Sequence, residues 1–163
     1  MDAHTCIRTK RDSRQYKPDR LPEDVTHRIL HAGRMAGSSK NTQPWAFVVL
    51  RDPERKAGLA ACGQFAAHVP AAPFVVAIVL TPGGGPFDAG RAAQNMMLAA
   101  WAEGVTSCPV AMHDQDCAAS ALGLPEGHRV AMVLAFGYPE TRESLSRGIA
   151  RTPLADLVHE ERW

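Results

Sequence analysis

The chain reads as one soluble domain of mixed α and β structure, with a sheet covered by helices. Three observations carry this reading. Trp45 to Leu50 and Phe74 to Leu80 are short apolar runs rich in β-branched and aromatic residues, the mark of strands buried on two faces. Between Asp88 and Glu103 lies a long helical stretch whose body, Ala92, Ala93, Met96, Met97, Leu98, Ala99, Ala100 and Trp101, is apolar nearly all round. The chain has 163 residues, 45% hydrophobic and 21% charged, which lets it bury about 70% of the surface its unfolded form exposes. A disordered chain and a disulfide-stapled miniprotein are both excluded.

Taken in order, Met1 to Arg8 carries charge where a secretory signal needs an apolar stretch, so the expected location is cytoplasmic. Leu21-Pro22-Glu23-Asp24 opens a helix, because proline suits the first helical position and carboxylates favour the positive end of the dipole. Val25, Ile29, Ala32 and Ala36, with Leu30 beside them, mark its buried face, and it ends near Gly37. The two strands follow, joined to the next helix by the flexible connector Thr81 to Pro86. Asp88 is placed to cap the long helix and Gly104 to stop it. A helix that is apolar on all sides needs cover, and a second copy of the chain is one way to provide it. Ser107 to Met112 and Val130 to Phe136 read as further strands, with a short helix from Asp114 to Leu122 between them. The last seventeen or so residues form a polar tail around Pro153 and Leu154. No break resembles a domain boundary, so residues 1–163 are expected to form one domain.

Lys+Arg 18 against Asp+Glu 17 gives a net charge of +1, so no global field draws the chain to nucleic acid. The longest apolar run, Ala71 to Leu80, is about ten residues and contains Pro73, well short of the roughly twenty a membrane-spanning helix needs. Any bound anion must therefore be held locally, and Lys10-Arg11-Asp12-Ser13-Arg14-Gln15-Tyr16 gathers three cations that could hold one. This segment is either a solvated charged terminus or an anion site, where each charge-assisted hydrogen bond would contribute roughly 1.5–3 kcal/mol. Gly37 to Trp45 is either ordinary turn chemistry or a set of hydroxyl, amide and backbone donors for the polar edge of a heteroaromatic ring. Signature loops of serine hydrolases, nucleotide triphosphatases and zinc proteases are absent. The glycines at 83–85 read as a linker. Cys108, His113 and Cys117 match no standard zinc spacing, so no metal is expected. Cys6, Cys62, Cys108 and Cys117 form no CxxC and are expected to be structural thiols.

Six blocks in order resemble the FMN-dependent nitroreductase family: Arg11 to Tyr16; Ala36 to Trp45; Asp88 to Ala100 with Gly104; Leu122 to His128; Gly137-Tyr138-Pro139; and Arg151 to Leu154 with Val158-His159-Glu160. The resemblance implies an α+β fold with a central, mainly antiparallel sheet wrapped by helices, an intertwined homodimer, and FMN at the subunit interface. It also implies roles for particular residues. Phosphate and ribityl contacts fall on Lys10, Arg11, Asp12 and Arg14, with Ser13 the intervening position. The loop reaching the flavin from the other subunit falls on Ser38, Ser39, Asn41 and Gln43. Gln64 matches a contact to the pyrimidine edge. Val110, Ala111 and Met112 pass the reactive edge, where their backbone could donate towards N5, and Arg151 supplies a C-terminal phosphate contact. Lys10 and Arg14 are the candidates for balancing charge on reduced flavin. Asp12 departs from the family's more usual serine, which favours a ribityl contact there, and the short stretch between Leu80 and Asp88 leaves little to cover a substrate.

The implied activity is hydride transfer from NAD(P)H through FMN to a small electron acceptor such as a nitroaromatic or quinone, in a ping-pong cycle with no essential side-chain acid. His113 is the rival proton donor. The other readings are a flavin-binding or storage protein, a family branch with specialised flavin chemistry such as dehalogenation or flavin breakdown, and a thiol or metal protein built on the cysteines.

Overall fold

A computed structural model describes residues 1–163. Its strands are β1 (Trp45–Leu50), β2 (Phe74–Leu80), β3 (Thr106–Val110) and β4 (Arg129–Gly137), and its helices α1 (Ala3–Thr9), α2 (Glu23–Arg34), α3 (Pro53–Ala60), α4 (Pro86–Ala102) and α5 (Gln115–Leu122). The strands form one antiparallel sheet in the order β1-β2-β4-β3. All seven residues of β2 are buried, and their alternation divides the interior into two cores. Val75 and Ala77 point to a core closed by Leu59 of α3 and Ala118 of α5. Phe74, Val76, Ile78 and Leu80 point to the other, closed by Ile29 of α2 and Met96 of α4. On β4, Val133 and Ala135 join the first core while Leu134 and Phe136 join the second. Ile78 faces Met132 but Val79 faces Val130, so Ala131 is an extra residue in the ladder. This bulge lets Val130 and Val133, an odd number apart, share one core.

The expected α+β class and antiparallel sheet hold, with several differences in detail. β1 is an edge strand with Ala46 and Val49 exposed, rather than a strand buried on both faces. The long helix starts two residues earlier than Asp88, because Pro86 occupies its first turn behind Gly85, and Asp88 lies inside it. That helix is also not covered all round: Phe87, Gly90, Arg91 and Gln94 leave one face open. β3 stops at Val110, two residues short of Met112, where the chain bends to let Asp114 cap α5 by accepting from Cys117 N at 2.9 Å. Two of the four cysteines are not free thiols: Cys62 and Cys117 form a disulfide, while Cys6 and Cys108 remain free and buried. Helices α1 and α3 were not expected.

Candidate functional site

The basic segment is held against β3 from both ends of the chain. Asp12 makes a single parallel bridge with Ser107, Ser13 N donates to the Ser107 carbonyl at 3.3 Å, and Thr106 Oγ1 donates to the Arg11 carbonyl at 2.9 Å. From the far end, Ser146 N donates to the Asp12 carbonyl at 2.7 Å, and Asp12 N donates to Ser146 Oγ at 3.1 Å. Tyr16 anchors the segment to the interior: its ring packs on Gly137 and its hydroxyl donates to the Ser13 carbonyl at 2.7 Å. Burial pushes that phenol well above its ordinary value, so it stays a donor. Together these residues frame a cavity of about 400 Å³ lined by Asp12, Ser13, Arg14, Cys108, Ser144 and Ser146.

Charge is unevenly distributed here. Lys10 is paired with Asp12 and its side chain is only 14% exposed, so that cation is already balanced. Arg11 donates to the carbonyls of Arg8 and Lys10 and meets no carboxylate, and Arg14 has no ion pair. Of these two guanidinium groups, only that of Arg14 lines the serine-walled cavity, where it is an uncompensated donor for a phosphate, while Arg11 lies outside the lining. Ser13 Oγ is committed internally, to the carbonyl of Gln15 and to Ser144. Cys108 faces the cavity as a neutral thiol, because burial pushes its pKa up against the opposing pull of Arg14. Ser107 Oγ is buried with no hydrogen-bond partner.

A second group forms where β3 ends. Val110 and Met112 are buried and Ala111 is exposed. The turn after α3 closes on this strand end: the Cys62 carbonyl accepts from His113 N and Asp114 N, both at 3.0 Å, and Gln64 N donates to His113 Nδ1 at 3.1 Å. A neutral His113 therefore carries its proton on Nε2. Gly63 sits so close that a Cβ there would lie 2.9 Å from Met112 Cε and 3.2 Å from the Ala111 carbonyl. Gln64, His113, Asp114 and Asp116 line an open cavity of about 600 Å³, and exposed Phe65 lies edge-on to His113 with ring centroids 5.7 Å apart.

The loop carrying Ser38, Ser39, Asn41 and Gln43 lies elsewhere. It feeds β1, and β1 and β3 are opposite edges of the sheet, three strand spacings or roughly 14 Å apart. Lys40, Asn41 and Gln43 all have left-handed backbone (φ 51°, 56° and 48°), a conformation that costs non-glycine residues of order 1–3 kcal/mol each and gathers at ligand-binding loops. Gln43 N donates to Ser38 Oγ at 2.8 Å, which holds the loop in shape. Arg151 is exposed on the tail and makes no ion pair. The fold thus joins Lys10 to Arg14, Val110 to Met112 and Gln64 along one edge, and leaves the 38–43 loop outside that group. Sequence reasoning missed Ser144, Ser146 and Cys108 as cavity walls; a run of hydroxyls from Thr141 to Ser146 was the available signal.

Residues 7–79 and 83–138 match the family described as Nitroreductase family. The chain belongs to the nitroreductase family. The chain is 32% identical over 181 residues to an NADH dehydrogenase of Thermus thermophilus, covering 85% of the chain and 87% of the relative. Nitroreductase A from Vibrio parahaemolyticus superposes with a TM-score of 0.91 at 22% identity, over 100% of this chain and 77% of that one. An FMN-dependent nitroreductase from Clostridium difficile superposes with a TM-score of 0.85 at 22% identity, over 98% and 99% of the two chains. At these identities the likeness to the solved structures is one of fold.

Proposed function

We propose that this chain binds FMN and passes reducing equivalents from NADH or NADPH to a small-molecule acceptor such as a nitroaromatic or a quinone. The observation that carries the reading is the unpaired Arg14 guanidinium on the wall of a serine-lined cavity beside β3, with Arg11, also free of any carboxylate, three residues away in the chain. Those residues fit the phosphate of FMN, with Ser146, whose hydroxyl accepts from Asp12 N and keeps its own proton, as a further donor and Asp12, fixed by Lys10, left to accept from ribityl hydroxyls. The chemistry a bound FMN would supply is hydride acceptance from the nicotinamide and electron donation to the acceptor, in alternating half-reactions. The chain's part is to hold the ring by the exposed Ala111 backbone and Gln64, and to keep one face accessible.

A homodimer completes this reading. The 38–43 loop is at the wrong edge of its own sheet, so a second copy would bring it, with Ser38, Ser39, Asn41 and Gln43, to the site. Two further features support a partner of the same kind: the open face of α4 around Phe87, and a tail that leaves Ile149, Leu154, Leu157 and Trp163 from 62% to 100% exposed. On the tail, Arg151 is the candidate for a further phosphate contact. No helix is long and apolar enough to cross a membrane.

The test is an FMN titration with the visible spectrum of the purified protein. Arg14→Ala should weaken FMN by roughly 1.5–3 kcal/mol, about ten- to a hundredfold in Kd, with the fold intact. An unchanged titration in the Arg11→Ala/Arg14→Ala double variant removes the phosphate assignment. Anaerobic bleaching of the bound flavin by NADH or NADPH separates turnover from storage.

A further inference from the structure

The Cys62–Cys117 disulfide joins two short helices that pack on the first core. Cys62 lies two residues beyond α3, and Cys117 is the third residue of α5. Each helix has eight residues, too few for stability in isolation. α3 buries only Lys56 and Leu59, and α5 only Ala118, so each has a small footprint on the core. The second cavity is built between these two attachment points. The Cys62 carbonyl holds His113 and Asp114, Gln64 N holds His113 Nδ1, and Gly63 is wedged against Met112.

We infer that the Cys62–Cys117 bond positions Gln64 and His113 at the edge of the flavin site, and that its reduction loosens this edge and weakens flavin binding; the flavin half of the inference rests on the function proposed above. Cys62 is 3% exposed and Cys117 half-buried, so the bond is reached from the Cys117 side. A dithiol reductant attacks as its thiolate, the Sγ–Sγ bond breaks through a mixed disulfide, and the reductant leaves as its own disulfide. Two electrons and two protons pass to Cys62 and Cys117, which become thiols. Cys6 and Cys108 are already free thiols, so the reductant changes only this pair. The disulfide is a positioning element: it acts through the turn it fixes.

Three measurements test this, and dithiothreitol is the reductant wherever the bond is reduced. Unreduced, denatured protein should label at two cysteines with iodoacetamide, and labelling at four overturns the inference. In flavin-free protein, amide hydrogen exchange at Gln64, His113 and Asp114 should become about tenfold faster or more on reduction while β2 and β4 are unaffected. Equal exchange at those amides before and after reduction overturns it. FMN titration should give a Kd about tenfold weaker for the reduced protein, and the Cys62→Ala/Cys117→Ala variant should bind like the reduced form with or without dithiothreitol. A lower Tm with an unchanged Kd would mean that the bond is only a staple, and overturns the positioning role. If the oxidised protein takes up no FMN, the flavin reading falls, and the exchange data still decide whether the bond clamps the turn.

Discussion

Replacing Gly137 by alanine tests how the basic segment is coupled to the sheet. Gly137 ends β4 opposite Thr106, and a Cβ there would stand 2.8 Å from Pro73 Cδ and 2.9 Å from both Cβ and Cδ1 of Tyr16, against 3.4–4 Å for ordinary contact. Neither neighbour can swing aside: one is a proline ring and the other includes the first side-chain carbon of a buried tyrosine. Overpacking of this kind costs about 1–3 kcal/mol. A displaced Tyr16 also strains or loses its 2.7 Å hydrogen bond to the Ser13 carbonyl, a further cost of about 1 kcal/mol. The sum, about 2–4 kcal/mol, corresponds to a fall in Tm of about 5–15 °C for a domain of this size. Urea denaturation with calorimetry measures it, and FMN titration of the variant should show weaker binding because Ser13 and Arg14 move with Tyr16. Gly58→Ala is the control: it lies inside exposed α3 with no atom within 4 Å of the new methyl, and should gain about 0.5–1 kcal/mol. A Gly137→Ala protein as stable as the wild type, or equal losses in both variants, would refute the reasoning.

Other expectations concern titration, chemistry and assembly. Burial, with Arg14 adding to it, holds the His68 imidazole below its ordinary pKa, and Nε2 has no partner to compensate. The unfolded chain therefore binds a proton there that the folded chain refuses, so stability should fall as pH drops through about 6.5 and stop falling once the folded group titrates. Urea midpoints across that range should show a shallower slope in His68→Gln, and an identical slope contradicts the assignment. His113→Ala should lose less than about tenfold in acceptor reduction and keep its pH profile, with protons coming from solvent; a loss of several orders of magnitude with the acid limb gone would make His113 the catalytic acid. Equilibrium sedimentation at micromolar concentration should give twice 17.6 kDa, and a flavin-loaded monomer is incompatible with the shared site.

What could be read from the sequence was what is encoded locally. β2 is recognisable because every residue from Phe74 to Leu80 is apolar, but the same kind of run in β1 conceals an edge strand, since edge position depends on strand order. α1 escaped because its order comes from distant partners: Cys6 Sγ donates to the Leu98 carbonyl, and Trp101 Nε1 donates to Thr9 Oγ1 at 3.0 Å. α3 had a readable start in Asp52-Pro53, where Asp52 accepts from Arg55 N, yet its body lacks a strong apolar stripe. The cation cluster was legible because its charges are neighbours in the chain. Its walls were not, because Ser144 and Ser146 come from more than 130 positions away, and the pairing of Cys62 with Cys117 spans 55.

The meeting of Asp12 with Ser146 sets an order of events during folding. Their two hydrogen bonds close a span of 134 residues, and the segment they fix also leans on Ser107. Such long closures carry an entropic cost that only an already collapsed interior can offset. The basic segment near the start of the chain is therefore among the last groups to find its place, after β4 has joined β2 and brought β3 alongside. A released chain truncated before residue 141 would keep all four strands and lack the Ser144 and Ser146 walls that fix Asp12 and Ser13.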